Sequence, residues 1–232
     1  MTMDELVQMM VGREIKERFP KVNVSLGEER LRVTGLAQQG VLNDINLSVR
    51  AGEILGIAGL MGAGLSELAR ALFGVEKYQG KIFVDGRPVT INSPGEAIKA
   101  GLGLITEDRK GEGLVTQLSV RENLTLANLR ALSKFGFISR SREAEYVKES
   151  VDKLRIKVHN YGQEVSSLSG GNQQKVVIGK WLATQPKVLI LDEPTRGVDI
   201  GAKREIYDLM NQLVEKGVAI IMISSELPEI LG

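Results

Sequence analysis

Apolar residues along this chain fall into two rhythms. Unbroken runs at 188–191 (VLIL) and 218–223 (VAIIMI), with glycine-interrupted ones at 53–58 (EILGIA) and 102–105 (LGLI), are rich in β-branched residues. Runs of that length without a polar face predict strands buried on both sides of a parallel sheet. A second set of strands alternates instead: 31–33 and 45–49 flank a turn at Gly40, and 81–84 and 89–91 flank Asp85-Gly86, a hairpin signal. Helices are predicted where capping chemistry meets wider spacing. Ser93 precedes Pro94 and Gly101 follows, which brackets a short helix. Ser119-Val120-Arg121-Glu122 reads as a capping box, and Ser139 or Ser141 starts a charged helix through Leu154, so residues 114–165 are expected to be helical. A further helix runs over 202–215 and stops at Gly217. At the start, Leu6, Val7, Met9, Met10 and Ile15 recur at helical spacing until Pro20 and Gly27 break the pattern, which predicts a linker helix and connection over 1–30.

Composition changes this picture mainly by exclusion. A chain of 232 residues, 43% hydrophobic and 25% charged, suits one globular domain or a domain with a subdomain. The net charge of +1 offers no field for nucleic acid or an anionic membrane. With no cysteine there is no disulfide and no thiolate metal site. Asp4 and Glu5 stand where a signal peptide would be basic, and the uncharged run 54–65 is broken by Gly56, Gly59, Gly62 and Gly64. Any membrane role must come through a partner. His159 is the only histidine and lies in a polar connection, a surface residue rather than a catalyst or metal ligand.

The chemistry concentrates at two places. Residues 168–174 read LSGGNQQ, and the apolar run 188–191 ends in Asp192-Glu193-Pro194, followed by Arg196-Gly197-Val198-Asp199. Asp192, at the C-terminal end of a parallel strand, is placed to hold Mg²⁺ through water; Glu193, turned away from it by strand alternation, is placed to orient or activate a water. Ser169-Gly170-Gly171 opens a helix whose free N–H groups and positive dipole end suit a phosphate. Upstream, the strand at 53–58 runs into Gly59-Leu60-Met61-Gly62-Ala63-Gly64-Leu65-Ser66. This fits the phosphate-binding pattern G-x-x-x-x-G-K-[ST], with Leu65 where lysine belongs and Ser66 still able to reach Mg²⁺.

These residues resemble the ABC-type ATPases: a signature motif at 168–174, a Walker B motif at 188–193 and a D-loop around Val198-Asp199. Across nearly the whole chain the resemblance narrows to the C-terminal nucleotide-binding half of the tandem ATP-binding subunit of bacterial ribose, galactose and xylose importers. It implies an α/β fold: a P-loop core with a mostly parallel sheet, an antiparallel β subdomain, and a helical subdomain at about 114–165 within a nucleotide-binding domain over 31–232. It implies ATP and Mg²⁺ as cofactors. Gly59, Gly62, Ala63, Gly64, Leu65 and Ser66 would sit at this half's own nucleotide. Ser169, Gly170, Gly171, Gln173 and Asp199 would serve the nucleotide held by a second half, because such halves meet head to tail. Ser66, Asp192 and Glu107 are the implied metal residues, and Glu193, Ser225 and Glu107 the implied catalytic ones. The implied partners are that second half, transmembrane permease subunits docking on the helical subdomain, and, indirectly, a periplasmic sugar-binding protein, with no nucleic acid. The implied location is the cytoplasmic face of the plasma membrane, peripherally held. Further strands are expected beyond Gly232, so the resemblance also implies a fragment.

Four departures from the family pattern converge on one site. Leu65 replaces the lysine, Glu107 a glutamine and Ser225 a histidine, and no aromatic residue near 37–40 is available to stack on adenine. The signature, by contrast, is complete. The expectation is a half that lends its signature to its partner and has lost part of what it would use itself. One alternative is a half that hydrolyses ATP itself, with Arg109 or Lys110 standing in for the lysine. Another is a soluble ABC protein of DNA repair or translation, which would need a coiled-coil insertion or a basic arm.

Overall fold

The computed structural model describes residues 19–60 and 62–232, so the helix expected within 1–18 lies outside the described residues. Four parallel strands form the centre: β3 (Ile54–Ala58), β6 (Leu102–Ile105), β9 (Val188–Asp192) and β10 (Ala219–Ser224), in the order β3-β10-β9-β6. All residues of β6, β9 and β10 are buried, as the unbroken apolar runs require. Strand β3 is an edge, and its residues alternate between exposed and half-buried.

Because side chains alternate across a strand, each run feeds two cores. Leu189 and Leu191 of β9 face one way, with Ile220 and Met222 of β10. They meet Val176 and Val177 of helix α6 (Gly170–Leu182) and Ile206 and Met210 of helix α7 (Ile200–Glu215). Val188, Ile190, Ala219, Ile221 and Ile223 face the other way. They meet Leu68 and Leu72 of helix α1 (Leu65–Leu72) and Leu31 and Val33 of strand β1 (Glu29–Gln38). Each such aliphatic side chain contributes about 1.5–3 kcal/mol on full burial, so the sheet's floor is fixed from both faces.

Strand β1 belongs to a separate antiparallel sheet with β2 (Leu42–Arg50), β4 (Gln79–Val84) and β5 (Arg87–Val89), in the order β2-β1-β4-β5. The turn at Asp85-Gly86 takes positive φ at both residues, 49° and 73°, as a tight hairpin demands. The last strand sits two residues earlier than the 89–91 alternation predicts: Ile91 turns into the core and its N–H donates to the Tyr78 hydroxyl at 3.2 Å. Helix α2 (Pro94–Ala100) has the expected Ser93 cap and ends at Gly101, φ 92°.

Residues 114–165 are only partly helical. Helices α3 (Val120–Thr125), α4 (Leu129–Leu132) and α5 (Arg140–Lys153) are present, and the Ser119–Glu122 capping box is formed. Between α4 and α5 lies a small hairpin, β7 (Ser133–Lys134) with β8 (Phe137–Ile138), turned by Phe135 and Gly136 at positive φ. Leu154 caps α5, and Arg155 at φ 50° starts an irregular connection that carries His159, an exposed residue, to the signature. Among the described residues no helix is long and apolar enough to cross a membrane.

Candidate functional site

The loop after β3 brings backbone and side chains to the C-terminal edge of the parallel sheet. Gly62 and Gly64 take φ of 82° and 85°. At Gly64 a β-carbon would also stand 3.3 Å from the Val41 carbonyl, so glycine is needed both for conformation and for space. Ala63 N–H closes a turn onto the Leu60 carbonyl at 3.0 Å. No side chain caps α1, which leaves its first-turn N–H groups available to an anion. Leu65 lines that opening with an alkyl group and no charge. Its Cδ1 lies 2.9 Å from where a β-carbon on Gly59 would stand, and the side chain is partly buried against the core beneath α1.

Six acidic or hydroxyl residues, Ser66, Glu67, Glu107, Asp192, Glu193 and Ser225, line an open cleft of about 310 Å³ at this loop. Ser66 Oγ donates to Glu107 Oε2 at 3.3 Å, and the other oxygen of Glu107 pairs with the guanidinium of Arg196. Asp192, 4% exposed, ends β9 with its Oδ1 buried and without a hydrogen-bond partner. Burial raises its pKa above the usual carboxylate range; the Ser66 hydroxyl opposes that and the charge of Glu193 adds to it. Glu193 follows at φ 49°, so a left-handed residue, rather than continued strand alternation, separates the two carboxylates. Its Oε1 accepts the Ser225 N–H at 2.6 Å, which ties the end of β10 to the end of β9. Ser225 lines the same cleft, so Gly59, Gly62, Gly64, Leu65, Ser66, Glu107, Asp192, Glu193 and Ser225 are brought together.

The signature residues gather elsewhere. Ser169, Gly171 and Asp199 line a second open surface, about 600 Å³, that shares no residue with the first. Asp199 caps α7 by accepting the Ala202 N–H at 2.9 Å. Gly171 is pressed against α7: a β-carbon there would stand 2.5 Å from Ala202 Cβ. Gly170 is confined in the same way by the Gly197 carbonyl at 3.1 Å and the Arg109 guanidinium at 3.2 Å. Gln173 does not share this surface. It is 3% exposed, and its Nε2 donates to the carbonyls of Val165, Ser166 and Leu168, stapling the chain that leads into the helix. A third cavity of about 500 Å³ lies against edge strand β3, and none of the sequence-predicted site residues lines it.

The charged segment after β6 folds as a π-turn over Arg109–Gly113, with Asp108 accepting the N–H groups of Lys110 and Gly111. This places Arg109 on the signature side, donating to Gln174 Oε1 at 3.4 Å and to the Arg196 carbonyl at 3.5 Å. Arg109 therefore does not replace the lysine missing at position 65. The cations that do line the phosphate cleft, Arg70 and Arg196, were not singled out by sequence reasoning. Arg196 carried one signal, a basic residue three positions past Glu193; Arg70 was one charge among many on a surface helix.

A family model described as ABC transporter matches residues 42–196. The chain belongs to the ABC transporter family. Curated ABC relatives include the ribose import ATP-binding protein RbsA of Geobacillus kaustophilus, 57% identical over 99% of this chain and 47% of that protein. RbsA of Bacillus subtilis is 56% identical over the same shares. The chain thus spans about half the length of the curated relatives it matches. Among solved structures, a nucleotide-free ATP-binding cassette from an ABC transporter superposes with a TM-score of 0.75. That match is 24% identical and covers 88% of this chain and 84% of the other, so it speaks for the ABC fold alone.

Proposed function

We propose that this chain is one nucleotide-binding half of an importer that couples ATP binding and hydrolysis to uptake of a monosaccharide, with ribose the sugar its relatives' names favour. Within that pair it acts mostly in trans. The signature surface of Ser169, Gly170, Gly171 and Asp199 serves a nucleotide held by the partner half, while its own phosphate cleft is weakened. The observation that carries this reading is Leu65, whose alkyl chain lies over Gly59 where a lysine would present charge to the β- and γ-phosphates. A charge-assisted hydrogen bond contributes about 1.5–3 kcal/mol, so its loss weakens nucleotide binding by about ten- to hundredfold.

The cleft's donor set fits Mg²⁺. An orphaned buried carboxylate oxygen on Asp192, the Ser66 hydroxyl and Glu107 are hard oxygen donors of the kind that ion takes together with water and phosphate. When bound, the ion would neutralise charge between phosphate oxygens. Glu193, held by the Ser225 N–H, is the group that would orient a water, and the amides around Gly62–Ser66 would cradle phosphate. Position 65 supplies no cation to stabilise charge in phosphoryl transfer.

The partners that follow are a second half in the same full-length protein, transmembrane permease subunits and, indirectly, a periplasmic sugar-binding protein, at the cytoplasmic face of the membrane. The β7–β8 hairpin supports a docking role for residues 114–165, since Phe135 and Phe137 are 90% and 81% exposed there. No nucleic-acid role is proposed: the +1 chain carries no basic arm. Calorimetric titration of Mg-ATP into the purified chain tests the asymmetry. Heats too weak to give a micromolar Kd are expected, and micromolar affinity would contradict it.

A further inference from the structure

We propose that Arg196 is a phosphate-binding residue of the cleft, held in reserve by Glu107 and released to the nucleotide. This rests on the reading of the Gly59–Ser66 loop as a phosphate site. Three observations carry it. Arg196 lines the cleft beside Gly62 and Ser66, and its side chain is 53% exposed, free to re-aim. Its partner Glu107 is itself bonded to Ser66, so the guanidinium is already one side chain away from the loop. The other cation of the cleft, Arg70, is engaged on Glu112 at 3.1 Å and Glu76 at 3.9 Å, which leaves Arg196 as the better placed charge.

The backbone supports the same role. Arg196 N–H bonds to the Glu193 carbonyl at 3.1 Å and its carbonyl accepts Arg109, so the residue's main chain is fixed while its side chain is not. A guanidinium matches phosphate in the same bidentate geometry as carboxylate, and a polyphosphate carries more charge than one carboxylate. Exchange of Glu107 for phosphate is therefore favourable without any backbone movement. It also accounts for the acid at 107: alone it would repel the nucleotide, and paired it parks the arginine.

The alternative is that Arg196 merely neutralises Glu107. Equilibrium titration of Mg-ATP separates the two, performed on the full 232-residue chain in a Leu65→Lys background that brings binding into range. With ATP in EDTA, where no ion draws on Glu107, Glu107→Gln is expected to tighten binding about three- to tenfold, because the arginine no longer has to leave a partner. Arg196→Ala added to Glu107→Gln is expected to weaken binding tenfold or more, with Arg196→Lys recovering part of it and thermal melts unchanged. If Arg196→Ala in the Glu107→Gln background shifts Kd by less than twofold while Mg-ATP still binds, the arginine role is overturned and the phosphate site stands. If Leu65→Lys itself binds no Mg-ATP, both fall.

Discussion

Leu65 lies folded over Gly59, its Cδ1 2.9 Å from the point where a β-carbon on that glycine would stand. The contact turns a position that could face phosphate into part of the hydrophobic floor. Replacing Leu65 with lysine is expected to improve Mg-ATP affinity about ten- to hundredfold, and to cost about 1 kcal/mol of stability from lost packing. Calorimetry and a denaturant melt on the same variant read both effects. A gain in affinity below threefold would mean that the lysine is not what the cleft lacks.

Asp192 presents the complementary trade. Its Oδ1 is buried without a partner, and an unsatisfied buried acceptor costs about 1–3 kcal/mol. Asp192→Asn keeps the shape but removes the buried charge, so it is expected to stabilise the nucleotide-free chain by about 1 kcal/mol at neutral pH while removing any Mg²⁺ dependence of nucleotide binding. Burial raises the folded-state pKa, so the carboxylate's penalty is absent in acid, grows as pH rises from the unfolded value to the raised one, and is complete above it. The gain from Asp192→Asn should shrink as pH is lowered below the raised value toward the ordinary carboxylate range. Urea melts across that range check the sign.

Lys180 gives a second pH signature of opposite chemistry. It sits on α6, donates to the Gly113 carbonyl, and burial lowers its pKa to about 8. Below that pH its charge is buried at a cost. Between about 8 and the unfolded value near 10.4 the unfolded state holds more protons, so stability rises with pH there. The advantage of Lys180→Met over the wild type should narrow between pH 7.5 and 9.5, measured by chemical denaturation. A constant difference would place the ammonium in water.

Glu229 in helix α8 (Leu227–Leu231) gathers three hydroxyls: Thr195 and Tyr207 on one oxygen and Ser224, at 2.7 Å, on the other. Burial of the Tyr207 hydroxyl, and then the Glu229 carboxylate beside it, push its pKa upward. Removing the acceptor orphans all three donors, so Glu229→Ala is expected to lose about 3–5 kcal/mol and Glu229→Gln markedly less. The midpoint of urea unfolding reports the difference.

Much of this was legible in the sequence because it depends on local pattern. The unbroken runs at 188–191 and 218–223 read as buried strands, and the glycines of the 59–66 loop marked a phosphate-binding pattern in which Gly62 and Gly64 take positive φ. Side-chain direction was not legible. That Gln173 turns inward and Arg109 toward the signature follows from the π-turn and from carbonyls supplied by distant residues. The β7–β8 hairpin was missed because two-residue strands carry too little alternation to register against a helical background. Arg196 was passed over because its partner Glu107 is far away in sequence and is joined to it only by the sheet order.

The most direct test of the lopsided arrangement is ATP hydrolysis by the complete transporter, assembled with variants in this half only. Gly171→Ala, which drives a methyl group into Ala202, is expected to reduce turnover by an order of magnitude or more by deforming the surface lent to the partner. Glu193→Gln is expected to leave turnover within about twofold if, as proposed, little chemistry passes through this cleft. Collapse of activity in Glu193→Gln, with Gly171→Ala near normal, would contradict the account.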